Sequence, residues 1–299
     1  MEAFNVQGYS QSWFDRNGFP PYLVALVWVV IAFLLFQGIG SVAAILLILY
    51  KEGSVSESAL VQNPEILLIG NSIGQVFGLA VATLMVARLS ALPFEYRSFL
   101  RLEIPKGTAA FTGYSVLLVI VIQPTIWAVS WLNQQIPFPE SWIQMEEVQI
   151  QLLEALLTTG IPLWFLIFSI ALVPAVCEEV IFRGYLLRLF EKSTGVLWAI
   201  FITGLLFGAF HLRVTQLIPL SLIGVLLAWV TIQSGSLIPA IIMHLVHNGA
   251  TVIAVHFYPQ LIEIDSSEAI PPVWLILASV ILTVYGIYLY KKITYTLTE

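Results

Sequence analysis

Predominantly apolar runs of eighteen or more residues recur along the whole chain, as in YLVALVWVVIAFLLFQGIGSVAAILLILY at 22–50. Each run is long enough to cross a hydrocarbon core about 30 Å thick. Lipid offers the backbone no hydrogen-bond partners, so spans of this length must satisfy their own amides as helices. The composition agrees, with 59% hydrophobic and 10% charged residues and a mean hydropathy of +0.92. A soluble domain of this length would carry about 25% charged residues. The expected fold is therefore all-α: a polytopic transmembrane helical bundle embedded in a lipid bilayer. No basic arm or stripe suggests a nucleic-acid partner. The single cysteine, Cys177, excludes an internal disulfide and a multi-cysteine metal site.

Turn chemistry at Pro20-Pro21, Asn63-Pro64, Ser193-Thr194-Gly195, Ser234-Gly235 and Pro271-Pro272 divides the chain into about eight spans. They are 22–50, 64–87, 109–132, 161–190, 195–212, 218–233, 237–257 and 272–290. Loop 88–108 holds Arg88, Arg97, Arg101 and Lys106; Arg188, Lys192, Lys291 and Lys292 share its parity. Loops of the other parity hold only Lys51 and Arg213 as basic residues and are acidic instead, with Glu52, Glu57, Glu140, Glu146, Glu147, Glu154, Glu263, Asp265 and Glu268. The positive-inside rule then puts both termini in the cytoplasm, as an even span count requires. The plasma (cytoplasmic) membrane is the expected location. The segment before Pro21 has no basic n-region, so no cleavable signal peptide is expected.

The chain reads as a cytoplasmic segment 1–21, three N-terminal spans with interfacial loops over 22–160, a core over 161–257, and a last span with its tail over 258–299. In segment 141–157, Val148, Leu152 and Leu156 recur at helical spacing, as in an interfacial amphipathic helix.

Three charges interrupt the fourth span, in VPAVCEEVIFRGYLL at 173–187. An ionisable group at the bilayer centre costs roughly 2.5–3.5 kcal/mol even on a lenient scale. Glu179 and Arg183 are four residues apart and form an expected intrahelical ion pair. Glu178 is rotated about 100° away and needs a partner on another helix. The candidates are His211, in LLFGAFH at 205–211, and His244 with Asn248, in IPAIIMHLVHN at 238–248. About 21 Å of helix separate Glu178 from Lys192, and about 24 Å separate Gly195 from His211, so the hairpin returns His211 to the depth of Glu178. His244 lies about 14 Å beyond the turn at Gly235. The expected site is a cavity nearer the cytoplasmic face. Pro174, four residues before Glu178, predicts a kink.

Glu178-Glu179-x-x-x-Arg183, Phe207-x-x-x-His211 and His244-x-x-x-Asn248, in this order on successive apolar helices, resemble the motifs of the CAAX-protease and bacteriocin-processing (CPBP, or Abi) family. The resemblance covers roughly residues 170–255 and implies an intramembrane endopeptidase, commonly labelled a metalloprotease. Its substrate would be a membrane-associated protein or peptide. The matched residues are Glu178, Glu179, His211, His244 and Asn248 as the catalytic set, with Arg183 and Phe207 in support. His247 is an extra histidine that the pattern does not require.

Two mechanisms remain open for these residues. Two neutral imidazoles and a carboxylate make a three-ligand zinc site with an open position for water, here Glu178, His211 and His244. In that version a carboxylate such as Glu179 would handle protons. Without metal, Glu178 and His211 would activate water while His244 and Asn248 donate to the oxyanion. Other protease classes fit worse: there is no HExxH, and the only aspartates, Asp15 and Asp265, lie outside the spans. Gly70-Asn71-Ser72-Ile73-Gly74 matches GxSxG by letter but sits within a span, where small residues pack helices. The rival readings are a transporter, since buried Glu, Arg and His also mark ion pathways, and a catalytically idle membrane scaffold.

Overall fold

The structure, a computed structural model, describes residues 12–298 except 57, 58, 60, 61, 159 and 259–269; for 148, 153, 154, 158 and 295–298 it describes the backbone alone. Glu57, Glu263, Asp265 and Glu268, most of the N-terminal segment 1–21, and the side chains of Val148 and Glu154 thus lie outside the described residues.

All the regular structure described is helical. The helices are α1 (Pro21–Glu52), α2 (Pro64–Ser90), α3 (Thr108–Val121), α4 (Gln123–Gln134), α5 (Glu140–Thr158), α6 (Leu163–Thr194), α7 (Val196–Phe210), α8 (Leu217–Ser234), α9 (Ile238–Phe257) and α10 (Val273–Thr298). Prolines open α1, α2 and α9 within their first turn, where the missing N–H costs no helical bond. Glycines in left-handed backbone close α1 at Gly53 (φ 73°) and α8 at Gly235 (φ 67°).

Six helices are long and apolar enough to cross a membrane: α1, α2, α6, α8, α9 and α10. The predicted span 109–132 is instead two helices, α3 and α4, bent by 47°. Pro124 stands in the first turn of α4 and removes an amide from the ladder. Counting that pair as one crossing gives seven. The remaining predicted span, α7, has 15 residues; it rises about 22 Å, less than a bilayer core.

α6 is the central element. Ile181, Phe182, Tyr185, Leu186 and Leu187 are fully buried, against α1, α2, α7 and the loop before α3. α10 is peripheral, with 11% of its apolar window buried against 67% for α6. α1 and α2 approach so closely that a Cβ on Gly74 would lie 2.4 Å from the Phe36 carbonyl oxygen. The GNSIG stretch therefore serves helix packing. A single turn at Trp13–Arg16 sits near the C-terminal end of α6, with Asp15 3.8 Å from Lys192.

α5 forms where the amphipathic segment was expected, but its faces differ from that expectation. Leu156 is buried, Leu152 is exposed, and Glu146 is buried at 2% exposure. An acid predicted as a loop charge is thus held inside the protein.

Candidate active site

α6 brings Glu178, Glu179 and Arg183 to the centre of the molecule. It is not a uniform α-helix: Ile167–Leu172 and Val180–Leu186 are wound as π-helix, with α-helix between them. Such insertions widen the helix locally and recur at functional sites. Glu178 and Glu179 end the intervening α-helical stretch, and Arg183 lies in the following π stretch.

Glu179 is the hub. Its Oε1 accepts from Arg183 Nη1 at 2.8 Å and from His244 Nδ1 at 2.9 Å. Glu179 and Arg183 are fully buried, and His244 is 3% exposed. The expected ion pair therefore exists, and it ties α6 to α9 as well. Arg183 Nη2 donates to the Gly224 carbonyl at 3.2 Å, and the guanidinium lies 4.4 Å from the centre of the Phe207 ring, a cation–π contact. Gly224 faces Gly204 so closely that a Cβ on it would lie 2.8 Å from the Gly204 carbonyl oxygen.

Arg101 completes the support from outside the spans. Its Nη1 donates to the Arg183 carbonyl at 3.1 Å, and its Nη2 pairs with Glu191. Burial, and secondarily Arg188, pulls its pKa down to about 10 against the upward pull of Glu191, so it stays charged at neutral pH. Its backbone adopts φ 54°, in the left-handed region.

Pro174 acts on the site through the backbone. Lacking an N–H, it cannot bond the carbonyl of Ile170, four residues earlier. That carbonyl accepts from Asn248 Nδ2 of α9 at 3.3 Å. α6 carries a π-wound turn just before Pro174 and remains one span. Asn248 Nδ2 also meets His244 Nε2 at 3.2 Å.

These partners assign the His244 tautomer. An ionised carboxylate only accepts, so Nδ1 carries the hydrogen that faces Glu179. Nε2 then accepts from the Asn248 amide. Both hydrogens of that amide are committed, one to Ile170 and one to His244.

Glu179 Oε2 is buried without a partner, and Glu178 lacks even the bonds that Glu179 makes through Oε1. Glu178 is 7% exposed, yet its Oε2 has no hydrogen-bond partner among the described residues. The nearest basic group is His244 Nε2, 4.0 Å away. That is too long for a hydrogen bond but short enough for one oxygen atom to touch both.

His211 caps the end of α7. Its Nδ1 lies 2.8 Å from the Phe207 carbonyl, which can only accept, so Nδ1 carries a hydrogen, and in the neutral imidazole Nε2 is the acceptor. The Phe207 ring stands between the two imidazoles, 4.9 Å from His211 and 5.6 Å from His244. No hydrogen bond or ion pair links His211 to Glu178 among the described residues. A groove of about 290 Å³ begins beside His211, lined by Gly208, Ala209, Leu212, Leu217, Trp142 and Met145 among others.

The structure thus gathers Glu178, Glu179, Arg183, Phe207, His244 and Asn248, and holds His211 at their edge. His247 turns to Gln123 at the α3–α4 bend, with Nδ1 3.2 Å from Gln123 Nε2. His256 packs edge-on against Phe257. Cys177 is buried in the apolar core. The described residues place no three His, Cys, Asp or Glu side chains together as a group that could hold a metal ion. Glu178, His211 and His244 in this arrangement do not fit a three-ligand zinc site.

The sequence motifs did not mark Gln123, Arg101, Ile170 or Gly224. All four act through contacts distant in the chain, and three of these contacts involve backbone atoms, which carry no residue signature.

Residues 159–250 match the family model Rce1-like, described as type II CAAX prenyl endopeptidase Rce1-like. No curated protein and no solved structure matches the chain. With its long apolar helices and this match, the chain is an integral multi-pass membrane protein. The matched stretch, residues 159–250, is the one that builds the site, and its likeness to the Rce1-like family is consistent with the CAAX-protease (CPBP) resemblance of the motifs.

Proposed function

We propose that the protein is an intramembrane endopeptidase that hydrolyses a peptide bond of a membrane-associated protein or peptide, with Glu178 as the general base. The observation that carries this reading is the division of labour between adjacent glutamates. Each glutamate keeps an unpartnered Oε2, but Glu179 is held by Arg183 and His244 through its Oε1, whereas no hydrogen bond among the described residues holds Glu178, whose Oε2 lies 4.0 Å from His244 Nε2. A carboxylate spared from structural bonds is free to take a proton.

In the proposed reaction, Glu178 removes a proton from water as its oxygen adds to the scissile carbonyl carbon. With His211 neutral, its Nε2 accepts the second hydrogen bond of that water. The oxyanion develops beside His244 and Asn248, and one Asn248 amide hydrogen turns from His244 to meet it. Glu178 then returns its proton to the departing amine nitrogen as the C–N bond breaks. Residues next to the scissile bond would lie in the apolar groove beside His211. None of these steps passes through a metal ion, because the side chains present do not converge as metal ligands. The basic loop 88–108 meets the basic C-terminal end of α6 at Arg188 and Lys192, which favours a site reached from the cytoplasmic side of the plasma membrane.

The test is cleavage of a labelled peptide library by purified protein in lipid nanodiscs, comparing wild type with Glu178→Gln, His211→Ala and His244→Ala. Loss of cleavage in all three supports the assignment. Full cleavage by the folded Glu178→Gln protein rejects it.

A further inference from the structure

Immediately after His211 the chain enters an unusual turn. Leu212 adopts φ 54°, left-handed backbone that a branched apolar residue rarely takes. Such a conformation persists only where the surroundings over-determine it. Here the next residues are gripped by three side chains from α4 and α5. Asn133, fully buried, donates to the Val214 carbonyl and accepts from the Ile218 amide, both at 2.8 Å. Ser130 accepts from Gln216 Nε2 at 3.1 Å. Glu146 accepts from the Thr215 amide at 3.1 Å, from the Thr215 hydroxyl, and from Arg213 Nε at 3.3 Å.

Glu146 makes the largest investment. It is a carboxylate buried to 2% exposure, and an acid is rarely buried unless its partners compensate. Its neighbour Glu147 is exposed. Ser130, Asn133 and Glu146 all precede the family-matched residues 159–250, so this part of the fold is supplied by the chain's own N-terminal half.

We propose that Glu146 is a positioning residue for His211. By fixing Arg213 to Thr215, it holds Leu212 in its left-handed turn and keeps the His211 imidazole seated against Phe207. The proposal rests on the catalytic role given to His211 above. Glu146 does not touch the reacting atoms.

The test combines kinetics with a readout independent of cleavage. Wild type, Glu146→Ala, Glu146→Gln and the control Glu147→Ala are compared as full-length protein in nanodiscs. In Glu146→Ala we expect kcat to fall about 10- to 100-fold, the scale for a misplaced catalytic group, with KM within about twofold. Glu146→Gln, which keeps one acceptor for Thr215, recovers most of kcat, and Glu147→Ala matches wild type. In parallel, diethyl pyrocarbonate labelling read by mass spectrometry should show the His211 rate changed several-fold in Glu146→Ala, with His256 unchanged. If Glu146→Ala does not fold, Thr215→Val carries the same two expectations. An unaltered kcat in a folded Glu146→Ala protein, or unaltered His211 labelling, overturns the proposal. If the wild type cleaves nothing, the protease reading falls; altered His211 labelling would then still support the clamp, and unaltered labelling would overturn it.

Discussion

Asn248 of α9 hydrogen-bonds the backbone of Ile170 on α6 at 3.3 Å, using the carbonyl that Pro174 cannot bond. The proline therefore frees an acceptor for a site residue 78 positions away in the chain. Pro174→Ala restores the amide and offers Ile170 an intrahelical partner. We expect the variant to unfold at higher temperature, by about 1 kcal/mol or more, since proline in a helix interior is costly. Cleavage should fall, because the Asn248 amide loses its anchor. Thermal unfolding and kcat measured on one preparation check this, and a stabilised variant with unchanged kcat would separate Pro174 from the site.

The two glutamates should respond oppositely to the same change. Glu179→Gln leaves the fully buried Arg183 without its charge partner, and breaking a buried pair costs about 3–5 kcal/mol. Glu178→Gln removes no hydrogen bond seen in the structure, so stability should shift by less than about 1 kcal/mol while cleavage falls at least about 100-fold. Denaturant or thermal unfolding beside a peptide-cleavage assay reads both effects.

Crowding between α7 and α8 supports the site mechanically. A Cβ on Gly208 would lie 2.3 Å from Ser221 Oγ and 2.7 Å from the Leu217 carbonyl oxygen. Gly208→Ala must push these helices apart, at a cost of about 1–3 kcal/mol for overpacking. Lower thermal stability is expected, together with loss of cleavage, because Gly208 is one turn from His211. A variant as stable as wild type would show that the crossing yields without strain.

Chelation gives a direct view of the metal question. The side chains do not assemble as a metal-holding group among the described residues. Treatment with 1,10-phenanthroline or EDTA is therefore expected to leave kcat within about twofold of the untreated enzyme. A drop reversed by added zinc would show that His211 swings in to join Glu178 and His244, and would replace the mechanism given above.

Much of the fold was legible in the chain because lipid leaves a long apolar run little choice but a helix. Proline and glycine punctuation located most helix ends to within a few residues. The Glu179–Arg183 pair was legible for the same local reason: four residues on a helix bring side chains together. The bend at Pro124, the π-wound turns of α6 and the burial of Glu146 were not. Each is a compromise between a local preference and packing against helices that arrive later in the sequence.

The sequence by itself determined that this chain is a helical membrane protein with costly charges at a few interior positions, because the periodicity and expense of those residues are local properties. Only the tertiary structure decided which glutamate is spent on Arg183 and His244 and which is left free. It also decided that an asparagine from α9 would find the carbonyl that a proline on α6 leaves open. Those outcomes depend on where separate helices meet, and hydrogen-bond geometry falls off within less than an ångström, a precision that spacing along one chain does not specify.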